Sequence, residues 1–180
     1  MRRAVVLGIA LALSASSVAP AWAAKETTAL GSSGQARVGE AAPWIAGWTL
    51  TNETFNLKKA FKDPRVTRVA LVFFATWCAP CKAGIAKLKD AAQDVDAAGV
   101  RLIFVDFEDK ADDARKFLGG IGLDAQVVLD PYGKTKDVYL DPSGDKVELP
   151  RTVIVGRDGK VQAVFGEEGD DYVARVRAGK

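Results

Sequence analysis

The stretch Val69-Ala70-Leu71-Val72-Phe73-Phe74-Ala75-Thr76-Trp77-Cys78-Ala79-Pro80-Cys81-Lys82 decides how the rest of the chain is read. Its first half, inside Val66 to Ala75, is a continuous apolar run, which suits a central strand buried on both faces of an α/β sheet. Beyond Cys81 the period changes. Ile85, Leu88, Ala92 and Val95 recur at helical spacing, and Gly99 stands where a C-terminal cap belongs. The only two cysteines of the protein therefore fall where a strand gives way to a helix.

Residues three apart on a helix have Cβ atoms about 5–6 Å apart, so a small adjustment brings Cys78 and Cys81 to disulfide range. With Cys78 at the helix N-terminus, unpaired backbone N–H groups and the positive dipole end face its sulfur and favour the thiolate, the species that attacks disulfides. Cys81, one turn in, is the less exposed thiol. The expected roles are Cys78 as nucleophile and Cys81 as resolver. An inert structural disulfide would close a loop too short to gain much chain entropy. Half of a zinc site lacks partners within the chain, which has no further cysteine and no histidine, and would need a dimer sharing two pairs. The strand–CxxC–helix context favours a redox pair.

Outward from this segment, Val100 to Phe107 reads as a strand and Asp112 to Leu118 as a helix ending at Gly119-Gly120. Val127 to Leu129 reads as a short strand closed by Asp130-Pro131. Thr152 to Val155 and Val161 to Phe165 flank Arg157-Asp158-Gly159-Lys160, a hairpin signal, and Asp170 to Arg177 completes the chain as a helix. Strands alternating with helices imply a parallel portion, and the closing hairpin adds an antiparallel edge. The expected class is α/β, a central mixed sheet with helices on both faces. No repeat, heptad pattern or second linker divides residues 38–180, which are read as one domain.

Composition narrows the chemistry. Of the 180 residues 48% are hydrophobic and 27% charged, an ordinary globular balance, and the net charge of +2 gives no nucleic-acid footprint. The absence of histidine excludes histidine bases, Cys-His nucleophile pairs and histidine metal or haem ligation by this chain. No metal site and no cofactor are expected. Residues 1–23 read as a signal peptide: Arg2 and Arg3 form a basic n-region, Ala4 to Ala15 is mainly apolar, and Ala21-Trp22-Ala23 is an A-x-A cleavage site. An uncleaved anchor is the alternative, although the apolar run falls short of the ~20 residues that span a bilayer. Export of this type implies a bacterial periplasm or the cell exterior, where disulfides persist, and the periplasm is the expected location. Residues 24–37, with Gly31-Ser32-Ser33-Gly34, read as a flexible polar lead.

Trp-Cys-x-Pro-Cys-Lys after an apolar strand resembles the active site of thioredoxin-fold oxidoreductases. The preceding Phe-Phe-Ala-Thr and the export segment make the chain most similar to the TlpA/ResA/CcmG-type periplasmic thioredoxins. The resemblance spans about residues 38 to 176 and implies a three-layer thioredoxin-like fold. It also implies that Leu149-Pro150-Arg151, just before Thr152 to Val155, is a cis-proline loop that receives substrate backbone. A trans proline opening an edge strand is the plain alternative. Trp77 resembles the family's tryptophan beside the reactive sulfur, and Ala79 and Pro80 occupy the positions that tune redox potential. The chain departs from thioredoxin itself at Val72, where that protein has a buried Asp assisting proton transfer. The ResA/TlpA type resembles this chain in carrying an acidic residue at the end of the next strand; Val105-Asp106-Phe107-Glu108-Asp109 is the matching stretch, which makes Glu108 or Asp109 the candidate proton relay. The other reading is that these two are solvated charges at the start of the following helix. A further departure, Asp141-Pro142-Ser143-Gly144-Asp145, lengthens the loop expected to border the substrate groove.

The leading function is reduction of protein disulfides in the periplasm by a monomeric protein. The resemblance implies clients of the apocytochrome c or copper-site type and a membrane electron donor. A disulfide-forming oxidase would keep the site and reverse its direction, but such relatives usually carry His between the cysteines and a helical insertion. A peroxidase of the peroxiredoxin type places Thr three residues before a lone Cys, whereas Thr76 precedes Cys78 by two. A copper-binding chaperone could use two soft thiolates, yet the related chaperones space them further apart and add His.

Overall fold

The strand at Arg68–Phe74 (here β3) has Val69 to Phe74 at 0–1% exposure, because both of its faces are covered. Val69, Leu71 and Phe73 enter one apolar cluster, and Ala70, Val72 and Phe74 enter another on the opposite face. The computed structural model describes residues 35–123, 125–140, 146–166 and 169–180. The expected signal peptide, most of the polar lead and the Asp141–Asp145 loop lie outside the described residues.

In chain order the elements are β1 (Ala46–Trp48), β2 (Thr54–Asn56), α1 (Leu57–Ala60), β3, α2 (Ala79–Asp90), α3 (Ala92–Ala97), β4 (Val100–Phe107) and α4 (Ala111–Ile121). They continue with β5 (Gln126–Asp130), a π-helical turn at Lys136–Leu140, β6 (Arg151–Gly156), β7 (Val161–Phe165) and α5 (Tyr172–Ala178). The five-stranded sheet runs β5-β4-β3-β6-β7, with β3, β4 and β5 parallel and β6 and β7 antiparallel. This is a mixed α/β sheet of thioredoxin type. Leu71 lies level with Ile103 of β4 and Val153 of β6, so β3 is paired along both edges.

One face of the sheet is covered by α2, α3, α4 and α5 through Ile85, Leu88, Val95, Leu118, Tyr172 and Val176. The other is covered by α1, the β1–β2 hairpin and the π turn, through Leu57, Phe55 and Tyr139. Tyr139 packs against Phe73 with ring centroids 5.0 Å apart and planes tilted by 31°, and donates its hydroxyl hydrogen to the Pro43 carbonyl at 2.7 Å. The edge strand β5 is partly covered, since Leu50 N–H donates to the Val127 carbonyl at 3.1 Å.

Two boundaries differ from the sequence reading. The expected helix ending at Gly119-Gly120 continues to Ile121 and stops at Gly122, whose φ of +69° is left-handed. Gly122 N–H donates to Gly119 and Leu123 N–H to Leu118, a Schellman ending that brings Ile121 and Leu123 onto the apolar cluster. The helix expected to run to Gly99 is interrupted at Ala91, giving α2 and α3. Gly99 closes α3 at φ +73°, and a Cβ there would meet Thr67 Oγ1 at 2.9 Å and the Arg65 carbonyl at 3.0 Å.

Candidate active site

Strand β3 delivers the chain to the site. After Phe74, Ala75 is still buried, Thr76 is half-buried, and Trp77 is 64% exposed beside Cys78. Cys78 is the N-cap of α2, with Ala79 and Pro80 in the first turn, where the missing proline N–H costs nothing. Cys78 and Cys81 form a disulfide with their Cα atoms 5.3 Å apart. Cys78 is 5% exposed and Cys81 1%. The Cys81 N–H donates to Cys78 Sγ at 3.3 Å, so a backbone donor at the helix start already points at that sulfur. The first turn of α2 contains no acidic residue, which leaves the positive helix end free to favour a Cys78 thiolate once the disulfide is reduced.

The loop before Cys78 is held from the neighbouring strand. Asp109 accepts the Thr76 N–H at 2.5 Å and the Thr76 hydroxyl at 2.8 Å. Asp109 thus braces the Thr76-Trp77 turn, two residues ahead of the first cysteine. Glu108, the other candidate relay, is exposed, adopts φ +61°, and lays its side chain over Gly133 on the β5 side. Neither residue caps α4, whose N-cap is Lys110.

The Leu149–Pro150 peptide bond is cis. Pro150 is buried and immediately precedes β6, in which Arg151 lies level with Phe73 of β3. Pro150 therefore stands one step further along, at the end of β3 from which the chain proceeds to the cysteines. Leu149 touches both apolar clusters. Arg151 shares a strand face with Val153, two residues on, and so projects to the face opposite α2. Its side chain is only 11% exposed, and Nη1 is 2.5 Å from Glu148 Oε2. The structure gathers Trp77, Cys78, Ala79, Pro80, Cys81, Leu149 and Pro150 at one end of β3 and joins Asp109 to them through Thr76. The side chains of Glu108 and Arg151 are directed elsewhere. Thr76, Lys82, Lys116 and Phe117 line an open depression beside the pair. Among the described residues no group of three or more His, Cys, Asp or Glu is placed to hold a metal ion.

Sequence reading missed Asp106. It is fully buried, and neither carboxylate oxygen has a hydrogen-bond partner among the described residues. Burial first, then the nearby Asp109 carboxylate, to which it makes no well-formed hydrogen bond, and the charges of Asp130 and Asp113 push its pKa up to about 8. The signal was present: in a strand buried on both faces, period two places Asp106 on the same face as Phe104, the face covered by α2, α3, α4 and α5.

Fold and site together define a thioredoxin-fold protein with a CxxC pair at a helix start. The chain belongs to the AhpC/TSA family, whose model matches residues 38–164. Among curated relatives, it is 27% identical over 129 residues to the thiol-disulfide oxidoreductase ResA of Oceanobacillus iheyensis, covering 71% of this chain and 64% of that protein. It is 32% identical over 92 residues to the thiol:disulfide interchange protein CycY of Rhizobium leguminosarum, covering 49% of this chain and 44% of that protein. The chain thus spans less than two thirds of the length of either relative. A solved structure of a candidate thiol:disulfide interchange protein DsbE from Chlorobium tepidum superposes with a TM-score of 0.63 at 28% identity, covering 78% of this chain and 93% of that one. The peroxidoxin BcpB of Mycobacterium tuberculosis shares the fold at a TM-score of 0.66 and 18% identity, covering 81% of this chain and 96% of that one.

Proposed function

We propose that the protein is a periplasmic thiol–disulfide oxidoreductase that reduces disulfides in client proteins. The observation that carries this reading is the pair of cysteines one helical turn apart, with Cys78 at the start of α2 and the cis Pro150 loop at the same end of β3. The names of the ResA and CycY relatives support it. In the reduced protein the Cys78 thiolate attacks a client disulfide. A bond forms between Cys78 and one client sulfur, the client S–S bond breaks, and the other client sulfur leaves as a thiolate that takes a proton. Cys81 then loses its proton and attacks the Cys78 sulfur, which closes the internal disulfide and frees the second client thiol. Two electrons pass to the client, and an external dithiol must restore the pair.

Exposed Trp77, with Leu149 and Pro150, would contact client backbone, and Ala79-Pro80 would set the potential. Residues 1–23 would direct export, and a membrane donor would supply electrons in that oxidising compartment. Clients of the apocytochrome c or copper-site type follow from the family resemblance, as does action as a monomer. No helix among the described residues is long and apolar enough to cross a membrane.

Trapping tests the reading. Reduced Cys81→Ser protein should accumulate a stable mixed disulfide with a disulfide-bonded protein such as insulin, and Cys78→Ser should form none. Equal trapping by both variants, or by neither, would overturn the assignment of roles. A peroxidase reading draws support from the family model and the BcpB fold. It requires hydrogen peroxide to oxidise reduced Cys78 faster than a protein disulfide does, which the same variants measure.

A further inference from the structure

The cysteine pair is flanked on both sides within the sheet. Pro150 lies on the β6 side of β3, whereas β4 and the helix that follows it lie on the other. On this second flank the surface opens into a depression of about 390 Å³, lined by Thr76, Lys82, Asp113, Lys116, Phe117 and Gly120. Thr76 and Lys82 stand on either side of Cys78 and Cys81 in the chain, so whatever occupies the depression lies next to the redox pair.

Its charge is unbalanced. Lys82 and Lys116 are exposed, and among the described residues neither ammonium group has an acidic partner or a hydrogen bond. Their helix neighbours differ: Arg115 is paired with Asp112, and Lys87 reaches Asp170 and the Gly169 carbonyl. Asp113 is the one carboxylate of the lining, and it pairs with neither lysine. Asp109 stands behind Thr76 with both oxygens engaged by it. The start of α2, whose first turn has no acidic residue, adds positive potential.

Its floor is fixed and its rim is bare. Phe117 stacks on Phe74 with centroids 5.8 Å apart and planes 17° apart, which ties the floor to the strand that delivers the cysteines. At Gly119 and Gly120 a Cβ would meet nothing within 4 Å, so packing within the chain does not call for glycine there, although glycine weakens a helix interior. Bare backbone at this point lets another chain come close.

We propose that the depression is a client subsite, which takes Asp or Glu side chains next to the client cysteine and pairs them with Lys82 and Lys116. This rests on the dithiol reading above and adds a preference among clients, for disulfides whose cysteines have acidic neighbours. A client segment laid on Pro150 with its sulfur at Cys78 runs from the β6 flank towards the β4 flank. Extended chain advances about 3.3 Å per residue, so the residues immediately beyond the cysteine are those that meet the lysines. Exposed ion pairs act weakly one at a time, and two together shift a rate by about fivefold.

The test uses two synthetic peptides, each closed by one disulfide and identical but for the residues next to the cysteines. These are Asp and Glu in one peptide, Asn and Gln in the other. Reduction of each by the reduced protein is followed in a single turnover at about 10 mM ionic strength, where the Debye length is ~30 Å. The ratio of the two rates, acidic over neutral, should fall about fivefold in the double variant Lys82→Gln, Lys116→Gln. It should fall further in Lys82→Gln, Lys116→Glu. Lys58→Gln with Lys62→Gln removes the same charge from α1 and the loop after it, on the other face of the sheet, and should keep the wild-type ratio. At about 1 M salt, with a Debye length of ~3 Å, the wild-type ratio should drop to that of the Lys82 and Lys116 double variant. A ratio that this double variant leaves unchanged, or that the distant pair lowers as much, would overturn the proposal. Failure of the wild-type protein to reduce either peptide would instead sink the dithiol reading itself.

Discussion

Strands β3 and β4 lie side by side in register, are equally buried towards their C-terminal ends, and end differently. β3 is apolar through Phe74 and hands the chain to Cys78, whereas β4 places Asp106 level with Phe74 in the same dry layer. One end supplies the sulfur chemistry at little folding cost. The other carries a carboxyl that folding alone would not select, since its charged form opposes burial. The contrast separates residues kept for packing from those that packing does not explain.

The largest expected effect on stability concerns Asp106. Its folded pKa of about 8 lies above the unfolded value near 3.8, so the native state holds a proton that the unfolded state releases. Its contribution is fully present below about pH 4 and is lost as pH rises towards 8, a swing on the order of several kcal/mol. Urea denaturation of the disulfide form across this range should show that decline, and Asp106→Asn should flatten it. A wild-type curve already flat from pH 5 to 8 would contradict the buried-carboxyl account. On the β3 side, Phe74→Ala should cost about 3–5 kcal/mol from the cavity it leaves, with no slope in pH. Asp109→Ala removes both bonds to Thr76 and should cost about 2 kcal/mol. It should also slow attack by Cys78 by loosening the turn, measured as thiol release at fixed pH. Attack at the wild-type rate would reduce Asp109 to a structural tie.

Much of this molecule was legible because its elements carry strong periods. The apolar run of β3, the helical spacing after Cys81 and the Asp158-Gly159 turn between β6 and β7 each reveal one element, and alternation implies the parallel order. The β1, β2 and α1 elements span three or four residues each, too few to display a period, and the π turn depends on Tyr139 reaching Phe73 and Pro43. At the site, CxxC and Pro150 were visible as motifs. The acidic stretch after Val105 was recognised as significant, but which carboxyl does what depends on side-chain direction. A left-handed Glu108 turns one side chain onto Gly133, the Thr76 bonds occupy Asp109, and strand alternation sends Asp106 to the buried face of Phe104.

The central claim is that Cys78 and Cys81 are a working reductant, and the reduction potential of the purified protein tests it most directly. Equilibration against dithiothreitol or glutathione mixtures should give a value near thioredoxin's, about −270 mV. A value near −120 mV, typical of a disulfide-forming oxidant, or the absence of any reversible couple between the two sulfurs, would contradict the account.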